Sequence, residues 1–417
     1  MAPPLRFDVA LQAIVKETWG SLLSGLIRRC GDFQLAEDSL QDAVETALTR
    51  WRETGLPDHP QAWLYKVAWR KALDRMRRDQ NFHKKQAEVQ FLLEQEQTAE
   101  LGESDYDIPD ERLRLIFTCC HPALDRKVSV ALTLQLVGGL TTAEIARAYL
   151  VKPETMAQRL VRGKRKIRTT AIAYEIPSAA DFADRLSAVL AVLYLIFNEG
   201  YAASFGAEPI RKDLCLEAIR LARILCLLCP TALEAHGLLA LMLLHDSRRP
   251  ARYDCHGAFI PLEDQDRTVW LKDQSEEGRR LVRRILAHGA RRGEAAGVYQ
   301  LQAAISAVHS DAMRAEETNW REISLIYELL YRLKPTPVIA LNRLVARSYV
   351  EPLPFILEQL QALAFGLENY QAFYAVEADF HRRLGQRQAA RTSYLKAIEL
   401  SANEAEQAFL TARMQAL

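Results

Sequence analysis

Apolar residues recur three and four positions apart along nearly the whole chain, and no sustained apolar–polar alternation marks a sheet. The pattern predicts an all-α protein in four segments. The first, residues 5–80, reads as three or four helices. The second, residues 81–109, is polar and acidic and closes on the turn-like Asp107-Ile108-Pro109-Asp110, the signature of a linker. The third, residues 110–172, reads as a compact helical domain. Pro177-Ser178 then opens a helical fourth segment, residues 178–417.

That last segment carries a weak repeat. Ala378, Ala390, Tyr394 and Ala397 place small and aromatic residues where tetratricopeptide repeats use them to bring two helices close. Ala218, Ala222 and Pro230, followed by Leu239-Ala240, fit the same frame. Pro230, Pro335 and Ala402 mark candidate repeat ends, at separations near multiples of about 34 residues. An irregular helical bundle is the other reading. The polar stretch Arg248 to Asp266 breaks the period and reads as a long loop or insertion.

The helix that opens at Thr141 changes the picture from fold to chemistry. Thr141 and Glu144 have capping-box spacing, and Ile145, Ala146 and Tyr149 continue a short helix. Leu150-Val151-Lys152 reads as a turn, and Pro153 suits the first turn of a second helix. Met156, Leu160 and Ile167 mark the inner face of that helix. Gln158, Arg159, Arg162, Lys164, Arg165 and Lys166 lie on the other. Two short helices with a tight turn and a basic second helix describe a helix-turn-helix. Gln and Arg there can read base edges, while the Lys–Arg cluster can hold phosphates. A solvated basic helix in a bundle is the bland alternative.

Composition narrows the class. With 417 residues, 49% hydrophobic and 26% charged, the chain has length for two to four folded domains and is not broadly disordered. The longest apolar run, Ala188 to Phe197, is too short for a membrane span of about 20 residues. The opening MAPPLRFDVALQ lacks a secretory pattern, and seven cysteines form no disulfide framework, so a reducing cytoplasm is expected.

Net charge is +1, yet its distribution is uneven. Between Lys66 and Lys85, eight basic residues meet only Asp74 and Asp79. From Gln86 to Glu111 there are nine acids and no Lys or Arg. From Thr141 to Thr170, eight basic residues meet only Glu144 and Glu154. Two basic segments around an acidic one point to an anionic partner touched twice. In Pro60 to Phe82, Trp63, Val67 and Leu73 suggest the buried stripe. Lys66, Trp69, Arg70, Arg77 and Arg78 then fall outside it or at its margin, where cations and rings suit an unpaired strand. A plain amphipathic helix reads equally well. Upstream, the helix headed by Ala36 to Ala43 offers acids to a basic protein partner, or simply to water.

Cys119-Cys120-His121 lacks a second ligand pair at zinc-finger spacing and reads as small buried side chains. Cys226 and Cys229 have redox-motif spacing but apolar flanks, so a packed helix face is expected. His245-Asp246 and Asp254-Cys255-His256 leave a ligand pocket open as a minor reading. No phosphate-binding loop and no nucleophile elbow appears. The expectation is a protein that is not an enzyme and uses no cofactor or metal.

Three ordered blocks, AEDSLQDAV, PQAWLYKVAWRKALDRMRR and LTTAEIARAYLVKPETMAQRLVRGKRKI, resemble sigma-70-type initiation factors of the extracytoplasmic-function class. The resemblance implies a sigma region-two domain over 5–80, an acidic linker over 81–109 and a region-four helix-turn-helix domain over 110–172. It implies that Asp38, Gln41 and Asp42 dock on the clamp helices of core RNA polymerase. It implies −10 contacts for Lys66, Trp69, Arg70, Arg77 and Arg78. It implies −35 contacts for Thr155, Gln158, Arg159, Arg162, Lys164 and Arg165. Arg70 stands where many members of the class have Asn, which bears on the −10 bases read.

DERLRLIFTCCHPAL, LYLIFNEGY, DQDR, YQLQAAISAVH and PVIALNRLVA resemble the subgroup with a tetratricopeptide-like C-terminal extension. Gly200 is expected to end the apolar helix, leaving Asn198, Glu199 and Tyr201 at a regulatory interface with the sigma domains. A helix end within the extension's own core is the alternative. Two other functions compete: a conventional helix-turn-helix transcription factor with a repeat sensor, and a helical-repeat scaffold that binds no DNA.

Overall fold

Asp32 and Gly55 set the limits of the second helix, and such local signals account for much of the architecture. A computed structural model describes residues 4–78, 109–149, 151–170, 172–201, 212–254, 257–401 and 404–417. Those residues form helices, turns and one isolated bridge, Tyr253–Phe259. The all-α expectation holds. The acidic 81–108 stretch, Cys255, His256 and Ala402 lie outside the described residues. The chain divides into two compact units, 1–195 and 196–417. The expected opening of the extension at Pro177-Ser178 falls inside the first.

In the first unit, α1 (Pro4–Cys30), α2 (Phe33–Thr54) and α3 (Pro60–Arg78) pack on one another. Asp32 caps α2 by accepting the Leu35 N–H at 2.8 Å. Gly55, at φ 81°, donates its N–H to Trp51 O and ends the helix. Leu22, Leu23, Leu26, Leu40, Leu64, Tyr65 and Trp69 fill the core. Trp51 meets Trp63 edge to face, with ring centroids 5.1 Å apart.

The next elements are α4 (Pro109–Cys119), α5 (Arg126–Leu132), a π-helical turn (Thr133–Val137), α6 (Thr142–Ala148) and α7 (Pro153–Thr169). The capping box forms as spaced: the Glu144 N–H donates to Thr141 Oγ1, and the Thr141 N–H donates to Glu144 Oε2. Met156, Leu160 and Ile167 are buried as expected. Gly163 is buried with them for a steric reason. A Cβ there would lie 2.6 Å from Val128 Cγ1 and 2.9 Å from Leu132 Cδ1. The chain continues into α8 (Phe182–Tyr201), within which the division between units falls.

The second unit runs from α9 (Lys212–Leu228) and α10 (Leu233–Ser247) to α11 (Lys272–Arg292) and α12 (Val298–Asp311). It continues through α13 (Trp320–Leu333), α14 (Pro337–Arg347), α15 (Leu353–Ala362), α16 (Gln371–Arg383), α17 (Arg387–Leu400) and α18 (Glu404–Gln415). Helix α10 is apolar nearly all round because α9, α11 and α12 pack against it. Glu234 accepts the Tyr299 and Gln300 N–H groups, both at 3.1 Å, and so satisfies the start of α12. Ala378, Ala390, Tyr394 and Ala397 meet in one buried cluster with Leu410, joining α16, α17 and α18. Among the described residues of 248–266, short 3-10 turns and an isolated bridge stand in place of a regular helix.

Candidate nucleic-acid interface

Helix α7 sets most of the chemistry. Its first turn carries Pro153, and the buried Met156, Leu160, Gly163 and Ile167 fix which way it faces. Thr155, Gln158, Arg162 and Arg165 are consequently exposed, and Arg159 is half-buried. Val161 stands among them with 64% of its surface exposed. The sequence reading overlooked it. The signal was an apolar residue on the polar face of a basic helix, and such a side chain suits the methyl group of thymine. Lys164 differs from its neighbours. Its ammonium donates to both carboxylate oxygens of Glu37 on α2, at 2.7 and 2.6 Å.

Helix α3 supplies a second basic surface. Lys66, Arg70 and Arg77 are exposed, and the Arg77 guanidinium lies 3.8 Å from Asp74. The side chain of Arg78 lies outside the described residues. Trp69 corrects the expected placement: it is 1% exposed, packed in the core of the first three helices beneath the Arg29 guanidinium. Of the expected stripe Trp63, Val67 and Leu73, only Leu73 is buried, at 3% exposure. Leu64, Tyr65, Ala68, Trp69 and Ala72 form the inner face, whereas Trp63 and Val67 are half-buried at its edge.

On α2, Gln41 is exposed, while Asp38 and Asp42 are half-buried. Asp38 accepts from the Gln34 side chain at 2.8 Å, and Asp42 pairs with Arg75 at 2.9 Å. Glu37 is buried, against the expectation of exposed acids on this helix.

At the end of α8, Gly200 lies within the helix, which continues to Tyr201, so it is not the expected cap. Asn198, Glu199 and Tyr201 are half-buried. Tyr201 belongs to an aromatic and cationic cluster of the second unit. It stacks on Phe197 at 5.6 Å, lies 5.3 Å from His245, and accepts at its hydroxyl from Arg248 at 3.1 Å. The Arg252 guanidinium sits 3.8 Å over its ring. Burial first, then Arg248 and Arg252, hold His245 well below the usual histidine range.

The DQDR block proves to be a set of ties. Asp264 pairs with Arg413 at 3.0 Å. Asp266 accepts the Thr268 N–H and so caps a short turn. Arg267 donates to the carbonyls of His309 and Ala312 at 2.6 and 2.8 Å. Cys119 and Cys120 are fully buried, and burial pushes the Cys120 thiol up to about 12, so neither is an exposed nucleophile. Cys226 and Cys229 are buried too, as the packed-face reading expects.

A helix-turn-helix with a polar, cationic outer face, beside a three-helix domain with its own basic surface, defines a DNA-binding transcription protein. Residues 16–82 match the family Sigma-70 region 2, and residues 114–167 match Sigma-70, region 4. Residues 185–286 match a family of unknown function, DUF6596. An uncharacterised protein of Rhizobium meliloti (strain 1021) is 38% identical over 417 residues, spanning 98% of this chain and 94% of the relative. No solved structure matches the chain. The chain belongs to the sigma-70 family, in the extracytoplasmic-function class, and carries a long helical C-terminal extension. Its role is promoter recognition.

Proposed function

We propose that the chain binds core RNA polymerase, directs it to promoters, and helps melt the DNA at the start site, with the extension setting its activity. The observation that carries this reading is the outer face of α7, where Gln158, Val161, Arg162 and Arg165 are presented together by a buried opposite face. That face has the width and chemistry to enter a major groove at the −35 element, with Thr155 and Arg159 beside it. Lys66, Arg70 and Arg77 hold the backbone of the −10 strand. Trp69 supports them from the core instead of stacking on a base. Asp38, Gln41 and Asp42 form the polymerase-facing part of α2, directed at the clamp helices of the largest subunit. The expected domain limits, 5–80, 81–109, 110–172 and 178–417, go with this division of labour. Asn198, Glu199 and Tyr201 belong to the regulatory extension.

A sigma factor leaves bond chemistry to polymerase and works by binding. Unstacking costs a few kcal/mol per base, and contacts to the opened strand offset it. A conventional transcription factor would need no region-two domain, so the region-two match with three ordered basic and acidic surfaces favours initiation.

The test is reconstituted transcription with bacterial core polymerase on promoters recovered by selection from a random library. The full chain should start transcripts that core alone does not. The triple variant Gln158→Ala, Arg162→Ala, Arg165→Ala should abolish selective initiation while leaving core binding intact. Duplex binding without core binding or transcription would favour the conventional transcription factor.

A further inference from the structure

The irregular stretch between α10 and α11 does more than connect them. Together with the end of α12, the start of α13 and the turn after α14, it walls a cavity of about 690 Å3 inside the second unit. Small-molecule sites commonly span roughly 300–1,000 Å3. Trp320, the first residue of α13, forms one wall. Its ring stacks on Tyr349 with centroids 3.9 Å and planes 5° apart, and meets the His309 ring edge-on at 5.2 Å. Pro261, Leu262 and Ala315 add apolar surface. The walls are tied to one another. Arg267 donates to the carbonyls of His309 and Ala312 and to the Thr318 hydroxyl. Arg413 of α18 holds Glu263 at 2.9 Å and Asp264 at 3.0 Å. The cavity is therefore preformed, and a ligand need not spend binding energy on ordering it.

Charge is divided along this cavity. Glu263, Asp264 and Glu316 are exposed carboxylates at its mouth. Arg267, half-buried, and Thr318, buried, stand at its inner end beside His309. Glu263 and Asp264 share the single cation Arg413, so the mouth keeps a net negative charge. His309 is pushed down to about 4, by burial first and by Arg248 and Arg267 after it, so its ring is neutral at pH 7. Its ring nitrogens have no hydrogen-bond partner among the described residues.

We propose that this cavity binds a small organic cation, a protonated amine on an apolar, ring-sized body, with the ammonium at the carboxylates of the mouth and the body against Trp320. The acids at the mouth attract the ammonium and repel a carboxylate. The rings and aliphatic side chains of the walls cover the apolar body. Arg267 at the inner end repels a second ammonium, so a diamine fits worse than a monoamine. The unpartnered His309 ring leaves the inner end able to meet one polar, uncharged group of the ligand. The site gives the extension a chemical input of its own, and it requires nothing of the sigma reading.

The experiment uses the full chain labelled with fluorotryptophan, the resonances of Trp320 and Trp51 being assigned with Trp320→Phe and Trp51→Phe. The probes are the amines tryptamine and phenethylamine, their acid counterparts indole-3-acetate and phenylacetate, neutral indole, and the diamine cadaverine. Fluorine NMR locates each probe, and calorimetry gives its affinity. Both amines should move the Trp320 resonance saturably and leave that of Trp51, in the first unit, where it was. They should bind about tenfold more tightly than the acids, indole or the diamine. Glu316→Gln should weaken the amines about fivefold, the most that an exposed charge contributes. Glu358→Gln, which removes an exposed acid on α15 outside the cavity, should not. Ala315→Phe should fill the cavity and abolish the shift. Should Ala315→Phe fail to fold, Glu316→Gln at its exposed position carries the test. No saturable Trp320 shift with either amine overturns the site. Acids or indole binding as tightly as the amines overturns the choice of a cation. Amine binding that survives Glu316→Gln and a folded Ala315→Phe unchanged lies elsewhere, and overturns the assignment to this cavity.

Discussion

At the scale of single residues, burial decides which member of a basic segment can touch DNA. Trp69 and Lys66 stand three positions apart on α3, yet one is in the core and the other exposed. Trp69→Ala should destabilise the region-two domain by about 3–5 kcal/mol, read by chemical denaturation. Lys66→Ala should leave that stability unchanged and weaken binding to single-stranded −10 DNA. On α7, Gln158→Ala should relax sequence preference at one −35 position by about 1–3 kcal/mol. Arg165→Ala should weaken binding across all sequences and reduce the salt slope by about one. A competition assay at several salt concentrations separates the two. Arg159 and Lys164 are the weaker choices for this comparison, because one is half-buried and the other is held by Glu37.

At the scale of elements, local signals in the sequence are strong where one turn satisfies itself. Thr141 and Glu144 close their capping box within a single turn. Thr141→Ala should cost about 1 kcal/mol, seen as a lowered unfolding midpoint with intact affinity at saturating stability. The same reasoning made Pro153 in the first turn and the inner face of α7 readable from spacing alone, while Leu150, in the expected turn before it, lies outside the described residues. It failed for α3. An apolar residue at every third or fourth place allowed more than one phase, and only the packing on α1 and α2 selected Leu64, Ala68, Trp69 and Ala72. It failed also at Gly200, where a glycine that could have ended a helix is carried inside one. Gly163 shows the converse. Nothing local demands glycine there, but α5 passes so close that Gly163→Ala should displace α7 and lower duplex affinity, measured against an unaltered region-two fold.

At the scale of the whole molecule, the extension carries its own conditional stability. His309 is pushed down to about 4, by burial first and by Arg248 and Arg267 after it. Its ring stands edge-on to Trp320 at 5.2 Å. His245 is lowered in the same direction. Both are neutral in the folded extension at pH 7, whereas an unfolded histidine takes up its proton near pH 6.5. As pH falls from about 6.5 toward 4, the unfolded chain binds protons that the folded one refuses, and stability falls. Calorimetry should show the unfolding temperature of the extension dropping between pH 7 and 5. His309→Asn should make that dependence shallower.

The sequence by itself determined the helical class, the order of the basic, acidic and basic segments, the capping box and second-helix inner face of the helix-turn-helix, and the alanine and tyrosine positions that join α16 to α17. These depend on contacts within a turn or between neighbouring helices, so spacing along the chain carries them. Tertiary structure decided that Trp69 is core, that Val161 faces outward among cations, that the DQDR block ties loops together, and that Lys164 meets Glu37. Each of these depends on which surface a distant segment covers. Lys164 and Glu37 lie 127 residues apart, and no periodicity reaches so far: a lysine on a basic helix reads the same whether its partner is a phosphate or a carboxylate.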